Sequence, residues 1–212
     1  EVKEKMTRAI ADVQDDIYID KSEITVYELC KEIVEDKRKS NQNSSSTYNR
    51  AKYTLKIIEN SSLGNMPIQK VTAKNIKNFL NDNTNYADST LKKIYQLLGQ
   101  AFKRAVERNI IIKNPITYEE ARKPKSNKES SKVEALTIDE EKKLISSLSN
   151  ETTLYKPIIL LMLFTGMRIG EVLALKWNCI NKDSITIHQS LTRDDYGKVI
   201  LGEKVKTKKS QR

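Results

Sequence analysis

One histidine and two cysteines stand among 212 residues. That is too few imidazole and thiolate donors for a histidine/cysteine metal centre. Cys30 and Cys179 lie far apart among apolar neighbours. They read as buried free thiols in a reducing compartment rather than as a disulfide framework. Long apolar runs are also missing. The stretch Ile158 to Phe164 is the most hydrophobic in the chain, and it is too short to span a bilayer. The opening Glu1-Val2-Lys3-Glu4-Lys5 lacks the apolar core of a signal peptide. Internal repeats and low-complexity blocks are absent. These absences point to a cytoplasmic protein with no membrane partner and no histidine/cysteine metal site.

What is present is charge. Apolar residues make up 38% and charged residues 31%, with a formal net charge of +10. A chain of this length holds one large or two small domains. The net charge is −2 over residues 1–50, +7 over 51–116, +2 over 117–132 and +3 over 133–212. Such a concentration attracts polyanions and makes affinity salt-dependent. An ordinary solvated lysine-rich surface would carry the same numbers, so charge by itself does not choose.

Hydrophobic spacing divides the chain. Val2, Met6, Ile10 and Val13 form one stripe of a short helix. Thr25 opens the next helix, with Val26, Leu29, Cys30, Ile33 and Val34 on one face. Ser45, Ser46 or Thr47 caps a second, which carries Tyr48, Ala51, Leu55 and Ile58. Thr72 caps a third, with Ile76, Phe79 and Leu80 inward. Asp88 or Ser89 caps the fourth, where Leu91, Ile94, Leu97, Leu98, Ala101, Phe102, Ala105 and Val106 keep helical spacing. Asn114-Pro115 stops it. Residues 117–133 read as a basic linker. Thr137 to Glu140 is a capping box for a helix through Leu148, and Pro157 suits the first turn of a buried helix through Phe164. Ile185-Thr186-Ile187-His188 alternates like a strand, Asp194 to Gly197 is a turn, and Lys198–Leu201 and Glu203–Thr207 read as further strands. The expected fold class is mainly α with a small β part.

The sixteen residues from Thr165 to Ile180 are the most specific signal. An apolar run leads into Arg168, which is flanked by Gly166 and Gly170, and helical apolar spacing resumes at Ile169, Val172, Leu173 and Leu175. Gly166 can end a helix in a left-handed conformation. Gly170 leaves room for another backbone or a ligand. A guanidinium at a helix junction suits bidentate grip on a phosphate, and Glu171, one turn away, can orient it. The alternative is a buried arginine paired to Glu171 as a helix staple.

This string resembles the first catalytic motif of the tyrosine recombinases, the phage-integrase family. Thr165, Gly166, Arg168, Gly170, Glu171, Leu175 and Trp177 agree with its pattern, while Cys179 stands where the family usually has aspartate. The resemblance implies a connecting helix at 1–22 from a preceding arm-binding domain, a helical (SAM-like) core DNA-binding domain at 23–116, a basic linker at 117–133, and the front of a mixed α/β catalytic domain at 134–212. It implies Arg168 as a phosphate-binding catalytic residue supported by Glu171, and Lys206 on a hairpin as general acid. It also implies that the starts of the second and fourth helices approach a DNA duplex. That nominates Thr47, Asn49, Arg50, Ser89, Thr90, Lys92 and Lys93, with Lys123 and Lys125 tracking the backbone from the linker. For each of these, capping or solvated charge is the alternative.

The family's reaction is a transesterification through a 3′-phosphotyrosyl link, carried out by a tetramer on two DNA sites; it keeps the bond energy in the covalent intermediate, which implies no cofactor and no obligatory metal. Its histidine-x-x-arginine element and nucleophilic tyrosine follow the lysine hairpin. No tyrosine follows Lys206 here; Tyr196 sits in a turn ahead of it, and the lone His188 reads as a partly buried strand residue. The expectation is a fragment that binds DNA and does not cleave it unaided. The competing readings are a non-catalytic DNA-binding module derived from a truncated integrase, and a basic helical regulator unrelated to recombination.

Overall fold

The computed structural model describes residues 19–40, 42, 44–129, 134–151 and 154–202. The expected helix over residues 1–15, the expected strand Glu203–Thr207 and Lys206 lie outside them. The chain divides into two compact units, Glu1–Ser131 and Lys132–Arg212.

The first unit is a helical bundle: α1 (Val26–Lys39), α2 (Ser45–Glu59), α3 (Ala73–Asp82) and α4 (Asp88–Glu107). Thr25 starts α1 through a reciprocal cap. Its amide donates to Glu28 Oε2 at 2.8 Å, and the Glu28 amide donates to Thr25 Oγ1 at 3.2 Å. Val26, Leu29, Cys30, Ile33 and Val34 are buried, as their spacing requires. Thr72 caps α3 in the same way, with Asn75 in the glutamate's place. The cap of α2 is Ser44, one residue earlier than expected: its hydroxyl accepts from the Thr47 amide. The start of α4 also departs from expectation. Ala87 is the cap and offers no side-chain bond, while Asp88 is the first helical residue.

Along α4, Leu91, Ile94, Leu97, Leu98, Ala101, Phe102 and Ala105 are buried, and Val106 is only half-buried. Asn109 ends the helix at φ 54°, and the Ile110 amide turns back to the Ala105 carbonyl at 2.8 Å. One ion-pair network ties α1 to α4. Arg104 reaches Asp36 at 2.7 Å and Glu32 at 3.4 Å, and Arg108 grips Glu32 with both amino groups. The hydrogen bond from Arg108 holds the Glu32 carboxyl below the usual carboxylate range.

The stretch that reads as linker from 117 begins as part of this unit. Two single helical turns, Pro115–Thr117 and Glu119–Ala121, follow α4. Ile116 and Ala121 belong to the core. These two apolar side chains seat the start of a segment whose composition otherwise reads as solvated.

The second unit contains α5 (Ile138–Ser147), α6 (Tyr155–Thr165), α7 (Ile169–Leu173) and an antiparallel hairpin of β1 (Ser190–Arg193) and β2 (Val199–Gly202). Thr137 and Glu140 form the expected capping box. The hairpin pairs Ser190 with Gly202 and Arg193 with Val199. Its turn is closed by Asp194, whose Oδ1 accepts from the amides of Tyr196 and Lys198.

Two expectations are corrected here. Residues 185–188 make no strand; Ile185 forms a single bridge with Ile180, and His188 is exposed. Alternation at Ile185 and Ile187 serves to pack those two side chains, not to continue a ladder. Nor is α6 buried. Ile158 to Leu163 are half-buried and Phe164 is exposed. Among the described residues, the core of this unit is Met167, Val172 and Ile187, with Ile158, Leu161, Met162, Leu175 and Ile185 against it. That set covers only one side of so apolar a helix. No helix among the described residues is long and apolar enough to cross a membrane.

Candidate functional site

Arg168 sits between two helices, and each neighbour in sequence has a task. Gly166 ends α6 at φ 64°, where its amide bonds back to the Met162 carbonyl at 3.0 Å. A side chain at that φ would be strained. Met167 is buried and anchors the turn. Arg168 then caps α7. Its backbone amide donates to Glu171 Oε2 at 3.0 Å and its Nη1 donates to Glu171 Oε1 at 2.8 Å.

The Glu171 side chain is 3% exposed and that of Arg168 is 60% exposed. The carboxylate is therefore the fixed member and the guanidinium the presented one. This asymmetry separates the arrangement from a buried staple: a guanidinium has five donors, and the single Nη1 tie leaves a donor edge directed toward solvent. Gly170 supplies the remaining constraint. A Cβ there would lie 2.7 Å from both the Leu191 carbonyl oxygen and Ser190 Oγ. The backbone of β1 thus passes directly over α7. Trp177, from the same motif, is 89% exposed, and Cys179 is half-buried with a free thiol. Cys30, in contrast, lies wholly in the first core, and burial pushes its thiol up to about 12.

In the first unit, the nominated residues of α2 and α4 partly converge. Thr47 and Arg50 from α2 and Lys93 from α4 line one groove of about 260 Å³. Its floor is Ile33, Val34, Ala51 and Leu97, and its rim adds Lys37, Gln96 and Gln100. Lys37 Nζ donates to Gln100 Oε1. Tyr48 stands nearby on α2, with Arg38 Cζ 5.9 Å and Lys52 Nζ 4.9 Å from its ring centre. Asn49, Ser89, Thr90 and Lys92 are surface or half-buried positions outside this groove.

Lys123 is not extended along the surface: its ammonium bonds Asp88 and the Pro124 carbonyl. Lys125 is exposed. Sequence spacing missed Lys37, Gln96 and Gln100. Nothing in a helical pattern marks which polar positions from three helices will share a rim. A larger cleft of about 600 Å³ among Tyr53, Lys56, Phe79 and Tyr86 contains none of the nominated residues. Among the described residues no cluster of histidine, cysteine or carboxylate side chains could hold a metal ion.

Residues 25–132 match the phage integrase SAM-like domain. The chain is 32% identical over 143 residues to the ICEBs1 integrase of Bacillus subtilis, covering 66% of this chain and 38% of that protein. It is 30% identical over 128 residues to a XerC-like tyrosine recombinase of Caldanaerobacter subterraneus, covering 58% of this chain and 32% of that one. The chain therefore spans about a third of the length of these relatives.

Among solved structures, the Tn1549 transposon integrase in complex with transposon right end DNA aligns with a TM-score of 0.72 at 22% identity, over 89% of this chain and 60% of that one. A lambda integrase tetramer bound to a Holliday junction aligns with a TM-score of 0.64 at 20% identity, over 96% and 61%. The family match covers more than half of the chain and coincides with its helical unit: the chain belongs to the tyrosine recombinase, or phage integrase, family.

Proposed function

We propose that this chain is the DNA-gripping front of a site-specific recombinase, and that its parent protein breaks and rejoins duplex DNA. The observation that carries this reading is the pairing of a buried Glu171 with an exposed Arg168 at a glycine-bounded helix junction. A guanidinium fixed from behind and open in front is preorganised for a phosphate oxygen. The groove bounded by Lys37, Arg50 and Lys93 supplies a second cationic surface in the first unit. DNA-bound integrases among the structural neighbours support the same partner.

In the proposed reaction a tyrosine hydroxyl of the parent attacks a backbone phosphorus. The P–O5′ bond breaks, a 3′-phosphotyrosyl ester forms, and the departing 5′-oxygen takes a proton. Attack by a 5′-hydroxyl of the partner strand reverses the step. The ester conserves the bond energy, so no nucleotide triphosphate is consumed. Negative charge gathers on the non-bridging oxygens, and Arg168 is the donor assigned to them. Lys206 is assigned as the acid toward the departing 5′-oxygen. Thr47, Asn49, Arg50, Ser89, Thr90, Lys92, Lys93 and Lys125 are assigned to the DNA surface. The parent works as a tetramer on two sites.

The test is Arg168→Ala in the complete parent. Strand cleavage should fall by at least about a hundredfold, the scale of losing one transition-state donor. Duplex affinity should stay within about threefold, since one phosphate contact among several is lost. Cleavage at the original rate would reject the assignment.

A further inference from the structure

The segment that follows the bundle is a strap across the α3–α4 loop. Ala121 at its start is fully buried. Ser126 Oγ donates to the Tyr86 carbonyl at 2.6 Å. The Asn127 amide donates to the Thr84 carbonyl at 2.9 Å, and its Nδ2 to Thr84 Oγ1 at 2.9 Å. Between these anchors, Lys123 Nζ bonds Asp88 Oδ1 and, at 3.2 Å, the Pro124 carbonyl. Lys123 is 24% exposed and Asp88 is 59% exposed.

Asp88 is the acidic residue in the first turn of α4. It directly precedes Ser89, Thr90, Lys92 and Lys93, the positions assigned to DNA. A bare carboxylate there stabilises the helix end but repels a phosphate. Two of the three donors of the Lys123 ammonium are already taken, and most of its stem is covered. It is poorly placed to reach a backbone phosphate and well placed to cancel Asp88.

We infer that Lys123 is a positioning residue for DNA binding: it neutralises Asp88 at the start of α4 and pins the strap, and it does not itself contact DNA. This rests on the DNA-binding reading of the α2–α4 surface. An unmasked carboxylate within about 6 Å of a phosphate, at an intermediate dielectric and partly screened, weakens binding about five- to tenfold.

The test is duplex affinity of the 212-residue chain by fluorescence anisotropy at 50 and 200 mM salt, with a thermal midpoint for every variant. Lys123→Met should weaken binding five- to tenfold at 50 mM salt. Lys123→Arg, which keeps the cation, should recover most of the loss. The double variant Asp88→Asn/Lys123→Met should return to within twofold of Asp88→Asn alone, with its salt slope restored. A double variant as weak as Lys123→Met, its log–log salt slope lowered by about 0.9, would mean a direct phosphate contact and overturn the inference. So would a Lys123→Met affinity within twofold of the original. If the unaltered chain shows no duplex binding at 50 mM salt, the DNA reading itself fails, before any variant is compared.

Discussion

Gly170→Ala is the most exposed prediction of the second unit, because the motif residue and the fold make opposite demands on it. Gly170 lies inside α7, where alanine is the better helix former by about 0.5–1 kcal/mol. Propensity alone therefore predicts stabilisation. The added methyl, however, would lie 2.7 Å from the Leu191 carbonyl oxygen and from Ser190 Oγ. The serine hydroxyl can rotate away. The carbonyl cannot, because it belongs to the backbone of β1, whose flanking residues Ser190 and Thr192 pair with Gly202 and Ile200. Restoring ordinary contact requires β1 to withdraw by roughly half an ångström, and overpacking of this kind costs about 1–3 kcal/mol. Set against the helix gain, the net loss is about 1–2 kcal/mol, or a factor of about 5–30 in local opening. Amide hydrogen exchange reads this directly. Protection over residues 190–202 should drop by that factor while protection in α4 stays unchanged. Unaltered protection in the hairpin, or a gain, would refute the claim that β1 passes against Gly170.

Two further outcomes test the first unit. Gly99→Ala adds a methyl whose nearest neighbour is Ile116 Cδ1 at 3.9 Å, an ordinary contact, so the thermal midpoint should rise by the equivalent of about 0.5–1 kcal/mol. Glu32→Gln should make stability less dependent on acid pH. The folded state holds Glu32 below its ordinary value of 4.5, so its contribution is full above that value and fades as pH falls through the lower folded one. With a third of the side chain exposed, screening limits the loss at neutral pH to about 1 kcal/mol. Denaturant midpoints between pH 3 and 7 give the curve.

The helices were legible where burial and spacing agree. Leu91 to Ala105 specify α4 because only one face of a helix collects those side chains. The capping boxes at Thr25 and Thr137 were legible because their chemistry is local. Starts without that chemistry were not: Ala87 caps α4 with no side chain, and Ser44 precedes three equally plausible hydroxyls. The arginine junction was readable in outline, as Gly166 and Gly170 each meet a constraint that admits almost no other residue. What the string could not give was which member of the Arg168–Glu171 pair is buried. Glu171 is buried beside a small core of Met167, Val172 and Ile187, and Ile187 reaches it from sixteen residues further along the chain. The composition of residues 117–127 reads as solvated linker because much of what holds them leaves no trace there: besides Ala121 in the core, Ser126 and Asn127 bond the backbone carbonyls of Tyr86 and Thr84.

The ion pairs of α4 also act at distances where nothing touches. Arg104 and Arg108, in its C-terminal half, are matched by Glu32 and Asp36. At the opposite end Arg50, Lys92 and Lys93 remain exposed. Pairing therefore offsets cations in the C-terminal half of α4, while those around its start stay exposed, so the charge along the helix is uneven. A polyanion several Debye lengths away meets no net torque. Inside that range it turns the bundle before collision, so more encounters begin with the groove already facing inward. On the proposed DNA-binding reading, the acids of α1 would then raise the yield of each encounter without lying on the surface that receives the ligand.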